Sequence, residues 1–396
     1  MNRIVGLVDM NSFYSSVFQA EHPELQGKEV IVTGDPEQRT GIVLASSYPA
    51  KARGLKTGMP IWEAEKLCPD GIFMKPDFPL FFDYSSRILK IARDFTDQCE
   101  SFSVDEFFIL ISNITHLWGS PIEITMKLKV RIRDEVGVLC SVGIGPNKLI
   151  SKMASGLQKP DGMVWIKDTA EYKKIFFDKP VRKLFGIGPR YEKHLRYFNV
   201  HTIGDLANFP IEILKRRWGI NGEQTWYCAN GIDNSPVTPG SLDVSKSIGK
   251  QKTLPKDIRG FVSIKVVIRE LSLEVSRRVR QGGYVGRTVF LTLRDSQLGF
   301  LSRSTVMPDY SDLPNDIHKT ACKLLKLHWD ESWPVRLVGV TFSGLVQKEY
   351  EQYDIFGEKE KNSKITRACH SIQNRYGDDA IFRGVSLTEV SLRGKR

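Results

Sequence analysis

Apolar and polar positions in the first 165 residues predict short buried strands separated by amphipathic helices. Runs of apolar residues predict strands at residues 3–9, 30–32, 42–45, 103–111 and 139–144. Helical spacing predicts helices at residues 12–21, 61–67, 83–96 and 148–156. The predicted strands are distant in sequence, so the pattern favours an α+β fold over a doubly wound parallel sheet.

The second half of the chain is divided by a short segment of linker composition. Residues 171–231 are basic and helical in pattern, and the linker segment NSPVTPGS follows at residues 234–241. Apolar residues from Ile264 to Val279 then recur on one helical face, and Val289, Leu291 and Leu293 alternate with outward positions as in a half-buried strand. These patterns predict a separate α+β domain to residue 343, and residues 365–376 of the polar tail predict one more helix.

The distribution of charged residues indicates two basic regions. The 396 residues are enough for two to four domains, and they carry a net charge of +11. Residues 245–304 contain 13 Lys and Arg against 4 Asp and Glu, and residues 179–218 contain 9 against 3. Two such local surpluses are typical of surfaces that meet a polyanion, although charge alone equally fits a solubilising surface.

Cysteine and hydropathy patterns exclude several classes of protein. None of the six cysteines forms a Cys-x-x-Cys pair, so neither a zinc site nor a disulfide framework is expected. The N-terminal apolar run is too short for a signal peptide, and no apolar stretch reaches the roughly 18 residues that a membrane span needs. We therefore expect a cytoplasmic protein that has no contact with a membrane.

Three carboxylates stand where an apolar pattern leads us to expect burial. Asp9 ends the first predicted strand, and Asp105 and Glu106 lie inside the apolar run at residues 102–110. A buried carboxylate needs a cation, and hard oxygen ligands select Mg²⁺. A pair that simply faces water is the alternative. Neighbours on an ideal strand point to opposite faces, so shared metal binding by Asp105 and Glu106 requires a turn or bulge.

Five segments together resemble the sequence blocks of Y-family translesion DNA polymerases. They are VDMNSFY at residues 8–14, SYPAKARGLKTGM at 47–59, SVDE at 103–106, SVGIGPNK at 141–148 and KPDG at 159–162. Their order and spacing also match. The resemblance is to the bacterial UmuC/DinB branch, closest to its Gram-positive UmuC-like members, and it extends to at least residue 343.

The resemblance implies an α+β multidomain, right-hand polymerase. Its parts are a ferredoxin-like palm, small fingers, a helix-hairpin-helix thumb and an α+β little finger. The implied boundaries are palm 1–27 and 76–168, fingers 28–75, thumb 169–233, linker 234–244, little finger 245–346 and tail 347–396. The implied activity is low-fidelity, DNA-directed DNA synthesis past damaged bases. The implied partners are primer–template DNA and deoxynucleoside triphosphates, and we expect a monomer.

The resemblance also assigns roles at the active site. Asp9, Asp105 and Glu106 match the family's catalytic ligands of two Mg²⁺ ions, and Met10 matches the residue that lends its backbone carbonyl. Tyr14 matches the steric gate, an aromatic ring under the sugar that excludes a ribose 2′-hydroxyl. A helix core aromatic is the alternative role for Tyr14.

Contacts to the triphosphate are implied for Tyr48, Lys51 and Lys159. Lys51 stands where many relatives carry Arg, and an ammonium lacks the bidentate fork of a guanidinium. Arg53, two residues further on, is a candidate to compensate.

Further matches imply contacts to DNA and to a protein partner. Gly186 and Gly188 match a helix-hairpin-helix turn that grips phosphate, although an ordinary helix cap is equally compatible with them. Lys250 matches the entry to the little finger. The tail segment QYDIF resembles the bacterial sliding-clamp peptide, with Gln352, Ile355 and Phe356 as its contacts.

Two functions from other classes stay open at this point. One is a DNA-binding scaffold without catalysis, which the presence of all three carboxylates disfavours. The other is a nucleotidyl cyclase, which shares a palm-like metal site. A cyclase has no use for a helix-hairpin-helix and a basic little finger.

Overall fold

The computed structural model describes residues 3–34, 41–240, 245–349, 358–377 and 380–387. The chain forms two compact units, residues 1–243 and 244–396. Gln352, Ile355 and Phe356 of the predicted clamp-binding segment lie outside the described residues. No helix in the described part of the chain is long and apolar enough to cross a membrane.

The first unit contains eight described strands and twelve described α-helices. Its strands are β1 (Val5–Met10), β2 (Val30–Thr33), β3 (Val43–Ser46), β4 (Ile72–Met74), β5 (Cys99–Ser101), β6 (Glu106–Leu110), β7 (Cys140–Gly145) and β8 (Met163–Trp165). Its helices are α1 (Phe13–Glu21), α2 (Tyr48–Ala52), α3 (Ile61–Leu67), α4 (Phe78–Phe95), α5 (Thr115–Trp118), α6 (Pro121–Val136), α7 (Lys148–Ser155), α8 (Thr169–Phe176), α9 (Pro189–Arg196), α10 (Ile203–Asn208), α11 (Ile211–Trp218) and α12 (Ile220–Ala229).

A five-stranded sheet in the order β5-β6-β1-β7-β8 forms the centre of the first unit. Strands β5, β6, β1 and β7 are antiparallel to their neighbours, and the chain runs through them as β1, helix, β5, β6, helix, β7. This is the β-α-β-β-α-β path of a ferredoxin-like fold, with β8 added in parallel at one edge. Every residue of β1 and β7 is buried, which explains their continuous apolar character.

Two smaller substructures accompany this sheet. Strands β3, β2 and β4 form a separate three-stranded sheet, whose core includes Ile31, Val43 and Leu55. Helices α8 to α12 form a helical cluster around the buried side chains of Tyr172, Leu195 and other apolar residues.

The first part of the segment with linker composition packs against the central sheet. Val237 is buried against Val5, Leu7 and Phe108 on one face of that sheet. The backbone N–H of Thr238 also donates to Glu100 Oε2 at 2.8 Å. The described part of the predicted linker segment therefore packs on the sheet through Val237 and Thr238, and its role as a linker stays a prediction.

The second unit is a four-stranded antiparallel sheet with helices on one face. Its elements are β9 (Ser247–Ile258), α13 (Phe261–Gln281), β10 (Tyr284–Asp295), β11 (Phe300–Ser311), α14 (Pro314–His328), β12 (Val335–Ser343), β13 (Val346–Gln347) and α15 (Glu358–Tyr376). The main sheet has the order β11-β10-β12-β9. Val289, Leu291 and Leu293 point into the core with α13 and α14, as their alternation predicted.

The mixed α+β fold predicted from the sequence is confirmed, while several element boundaries differ. Helix α4 begins at Phe78, five residues before the predicted start, because Asp77 caps it by accepting from the backbone N–H of Leu80 at 3.1 Å. The strand expected at residues 103–111 is β6, which begins only at Glu106.

Candidate active site

Asp9 and Glu106 are brought together by the register of the central sheet. They are directly paired residues of the antiparallel strands β1 and β6. Asp9 is 5% exposed, and a hydrogen bond joins its carboxylate to Glu106. Two acids from segments almost 100 residues apart in sequence thus share one largely buried site.

Asp105 lies in a tight turn between β5 and β6. The backbone N–H groups of Phe102 and Ser103 both donate to the carbonyl of Glu106, at 2.9 and 3.1 Å. The Ser103 hydroxyl donates to Asp105 Oδ1 at 2.6 Å, and the Met10 N–H donates to the Asp105 carbonyl at 2.9 Å. The turn that shared metal binding requires is therefore present, and it lies next to Met10 on β1.

Two lysines neutralise the paired acids. Lys159 Nζ donates to Asp9 Oδ1, and Lys152 Nζ on α7 contacts both Glu106 Oε1 and, at 3.5 Å, Asp9 Oδ2. Burial opposes ionisation of Asp9, but the hydrogen bond with Glu106 and the lysine charges outweigh it and lower the pKa of Asp9. Burial and the hydrogen bond to Asp9 raise the pKa of Glu106 to about 7.

Lys152 is a site residue that the motif comparison missed. It lies one turn after Lys148 on a helix whose other positions from Leu149 to Ser155 are buried. A lysine inside an otherwise buried helical run was the available signal, because a buried ammonium needs an acidic partner.

The three carboxylates are ligands of the type that a hard divalent cation prefers, but they do not all lie together. Among the described residues, no three His, Cys, Asp or Glu side chains are grouped closely enough to hold a metal ion. Asp9 and Glu106 meet, and Asp105 instead accepts from Ser103. Carboxylate oxygens are the ligands that Mg²⁺ prefers. In this structure the ammonium groups of Lys152 and Lys159 balance the charge of Asp9 and Glu106.

The Tyr14 ring lies at the border between the core and the site. It stacks on Phe81 with ring centroids 4.2 Å apart and meets the edge of Phe78 at 6.2 Å. Burial and the charge of Asp105 raise the pKa of Tyr14. The ring is thus partly a core aromatic, and its hydroxyl is close enough to the predicted metal ligands to sense their charge.

A second basic group faces the acids from α2. Lys51 Nζ donates to the Ser12 hydroxyl at 2.6 Å and lies 4.7 Å from the centre of the Tyr48 ring. Burial and the nearby charge of Lys159 lower the pKa of Lys51. Two ammonium groups close enough to repel each other, beside an aromatic hydroxyl, form a site that an anion would stabilise.

Arg53 does not join this group. Its Nε donates to Glu29 Oε1 at 2.8 Å, and its side chain is 62% exposed. Glu29 holds the guanidinium at the surface, so these contacts give no support to compensation by Arg53 for a lysine at position 51, which stays a prediction.

The glycine turn in the helical cluster has one position that requires glycine. Gly186 has φ +92°, and Gly188 caps the N-terminus of α9 with extended φ of −88°. A 3₁₀ turn, Val181–Lys183, precedes this turn in place of a full α-helix. The Gly188–α9 junction leaves helix N–H groups available, as phosphate binding requires.

Lys250 lies on the helical side of the second sheet. Its ammonium is 3.1 Å from Glu274 on α13, and its register partner Val340 is fully buried on that side. Strand alternation puts Gly249, Gln251 and Thr341 on the opposite, helix-free face. A DNA contact by Lys250 stays a prediction.

Comparisons with known proteins agree with this architecture. Residues 8–156 match the impB/mucB/samB family, and residues 245–355 match the C-terminal domain of the same family. A Y-family DNA polymerase chimera, Dbh-Dpo4(243-245)-Dbh, has the same fold with a TM-score of 0.77 at 23% identity. The match covers 87% of this chain and 99% of the chimera.

Full-length relatives carry the same family assignment. The chain is 50% identical to DNA polymerase IV of Pelotomaculum thermopropionicum, over 98% of this chain and 97% of the relative. It is 50% identical to DNA polymerase IV of Moorella thermoacetica, over 96% of each chain, and 39% identical to DNA polymerase IV 2 of Bacillus subtilis, over 98% and 95%. The sheet, the paired acids and these relatives together lead to one conclusion: the chain belongs to the bacterial Y family of DNA polymerases.

Proposed function

We propose that this Y-family polymerase extends a primer 3′-end by two-metal nucleotidyl transfer, with Asp9, Asp105 and Glu106 as its metal ligands. The observation that carries the proposal is the buried pairing of Asp9 with Glu106 beside the turn that holds Asp105. It is a DNA-directed DNA polymerase of the translesion class. We further propose low fidelity, action as a monomer, and a cytoplasmic location.

The protein's own groups prepare the acids for divalent cations. Lys152 and Lys159 contact the carboxylates of Glu106 and Asp9, and the Met10 carbonyl is the proposed additional oxygen ligand. When bound, two Mg²⁺ ions would activate the primer hydroxyl and neutralise the triphosphate. The Ser103 hydroxyl holds the Asp105 carboxylate at the turn.

The nucleotide is proposed to bind between the two lysines and Tyr14. Lys51 and Lys159 would bind phosphate oxygens, which relieves their mutual repulsion, and the Tyr48 hydroxyl would add a hydrogen bond. Tyr14 would lie under the sugar. Its stacking on Phe81 fixes the ring, and a fixed ring excludes an extra hydroxyl more strictly than a mobile one.

The domain assignment follows the same logic. We propose that the five-stranded sheet is the palm, the sheet of β2 to β4 the fingers, α8 to α12 the thumb, and the second unit the little finger. Backbone phosphates would meet the Gly186–Gly188 turn and the helix-free face of the second sheet. Lys250 is the weakest of the proposed DNA contacts, because Glu274 already engages it.

Primer extension on undamaged and damaged templates tests the proposed function. Extension that requires template, primer and Mg²⁺ supports it. A protein that binds the duplex without extending it would be the scaffold alternative. Turnover of nucleoside triphosphate without DNA would support the cyclase alternative.

Replacing Lys152 with methionine should make the ion-free protein less stable and more responsive to Mg²⁺. The variant leaves Asp9 and Glu106 with one ammonium fewer, which costs on the order of 2 kcal/mol for a largely buried pair. Mg²⁺ would no longer compete with Lys152 for these acids. Thermal unfolding in chelator and across a Mg²⁺ titration measures both effects without requiring activity.

Lys148→Met is the matched control for this experiment. Lys148 is on the same helix and forms a similarly buried pair with Glu100 at 2.9 Å, away from the site. It should lose stability in chelator while keeping the parent's Mg²⁺ response. Equal Mg²⁺ responses in the two variants would remove Lys152 from the metal site.

We also propose that Ile355 and Phe356 anchor the protein on the bacterial sliding clamp, with Gln352 as a third contact. The support is the sequence pattern, which follows a few residues after β13. Two buried anchors at about 2 kcal/mol each would make replacement of both by alanine weaken clamp binding by at least tens-fold. Direct binding to purified clamp measures the loss.

The control for the clamp experiment is a second double variant, which also loses two large apolar side chains from the C-terminal region. Tyr376 and Leu387 are 67% and 73% exposed, so replacing both by alanine should leave clamp affinity unchanged. Clamp-free extension should be normal in both double variants. Equal clamp affinity of the Ile355/Phe356 variant and the parent would make the motif match fortuitous.

A further inference from the structure

Three aromatic rings meet at the border of the proposed active site. Tyr14 on α1 stacks on Phe81 of α4 with ring centroids 4.2 Å apart. The ring of Phe78 is nearly perpendicular to both, at 6.2 Å from Tyr14 and 6.1 Å from Phe81. Each ring therefore contacts the other two, in the stacked and edge-to-face arrangements that aromatic side chains prefer.

The two phenylalanines of this cluster differ in burial. Phe81 is fully buried and belongs to the core of the first unit. Phe78 is the first residue of α4 and is 47% exposed, so it contributes less to the core. Within the described residues, the ring contacts of Phe78 are with Tyr14 and Phe81. Its position beside Tyr14 is therefore better explained by what it does to that ring than by core packing.

The start of α4 fixes the position of Phe78. Asp77 caps the helix by accepting from the backbone N–H of Leu80 at 3.1 Å, and Pro79 lies in the first turn. A proline in this turn has a φ angle that already suits the helix. The backbone that carries Phe78 is thus well defined, and its ring is a second fixed surface beside Tyr14.

We infer that Phe78 is a positioning residue for sugar selection, because it keeps the Tyr14 ring from moving aside when a ribonucleotide binds. The inference rests on the proposed role of Tyr14 as the steric gate. Phe81 restrains Tyr14 from one face, and a perpendicular neighbour restrains sliding of the ring across Phe81. A ring excludes a 2′-hydroxyl only as far as it resists displacement, because displacement relieves the steric overlap.

Replacing Phe78 with alanine should raise kcat/KM for ribonucleotides about threefold to tenfold, while kcat/KM for deoxynucleotides stays within about twofold of the parent. The change is smaller than that expected for loss of the Tyr14 ring, because Phe81 still supports one face. Phe78→Tyr keeps a ring at this position and should restore the parent's sugar ratio. Partial unfolding would lower kcat/KM for both sugars, so it cannot imitate a gain in ribonucleotide use.

Phe82→Ala is the matched control. Phe82 lies one turn further along α4, is 64% exposed, and makes no ring contact within the described part of the chain. The variant removes the same side chain from the same helix and should keep the parent's sugar ratio. Equal relaxation in the two alanine variants would reduce the effect to a general disturbance of α4 and overturn the inference.

Combination with Tyr14→Ala separates this inference from the proposed gate. Adding Phe78→Ala to that variant should leave the sugar ratio unchanged, because no ring remains to be positioned. A ratio that falls again by the same factor would show that Phe78 acts independently of Tyr14, against the inference. If Tyr14→Ala relaxes selection and Phe78→Ala does not, the inference fails while the gate stands. If Tyr14→Ala also leaves the ratio unchanged, both fail.

Discussion

Replacing Asp105 with alanine should reduce nucleotide addition at least about a thousandfold, because several kcal/mol of metal-dependent charge stabilisation is lost and each 1.36 kcal/mol is tenfold. Binding of primer–template DNA should be largely unchanged. The Asp105 side chain contacts Ser103, whereas its link to β1 runs through the backbone carbonyl and survives the substitution. Single-turnover extension and DNA affinity should be measured on the same preparation.

Asp94→Ala provides the control for this substitution. Asp94 is a half-exposed acid of α4 that pairs with Arg131 at 2.9 Å, so its loss removes one carboxylate of the same unit away from the site. The variant should extend primers at the parent's rate. Near-normal extension by the Asp105 variant would remove Asp105 from the metal ligands and leave only the Asp9–Glu106 pair.

Replacing Tyr14 with alanine should relax the selection against ribonucleotides by about tenfold to a hundredfold, because steric overlap in a packed site typically costs 1–3 kcal/mol. The substitution leaves a space over Phe81 where the ring was stacked at 4.2 Å. A 2′-hydroxyl would fit there. The ratio of kcat/KM for deoxy- and ribonucleotides, in variant and parent, measures the change.

Tyr14→Phe separates the ring from the hydroxyl. It keeps the stacking on Phe81 and removes only the group that senses Asp105, so the sugar preference should stay close to that of the parent. If the alanine variant also kept the parent's preference, Tyr14 would be a core aromatic only. A relaxed preference in both variants would assign the selection to the hydroxyl.

The sequence predicted the strands with buried faces and the motifs that lie on single elements. The largely apolar run at residues 139–144 predicted a buried strand, and β7, Cys140–Gly145, is buried throughout, although Leu139 just before it is exposed. Val289, Leu291 and Leu293 fixed the inward face of β10 for the same reason. Asp9, Asp105 and Glu106 stood out as acids in apolar surroundings, but that pattern equally allowed a pair facing water, and only the family resemblance assigned them as metal ligands.

Contacts between distant segments were decided only by the tertiary structure. Antiparallel register set Asp9 opposite Glu106, and a backbone turn, which residue type does not specify, separated Asp105 from β6. Lys152 contacts Asp9 because α7 packs beside β1. Lys250 contacts Glu274 because strand alternation places its side chain on the face of the sheet that α13 covers. Periodicity tells which face of an element is buried, because burial depends on neighbours along one helix or strand. It does not tell which charges meet across elements, because the ion pairs of Lys152 and Lys250 join residues that only chain packing brings within reach.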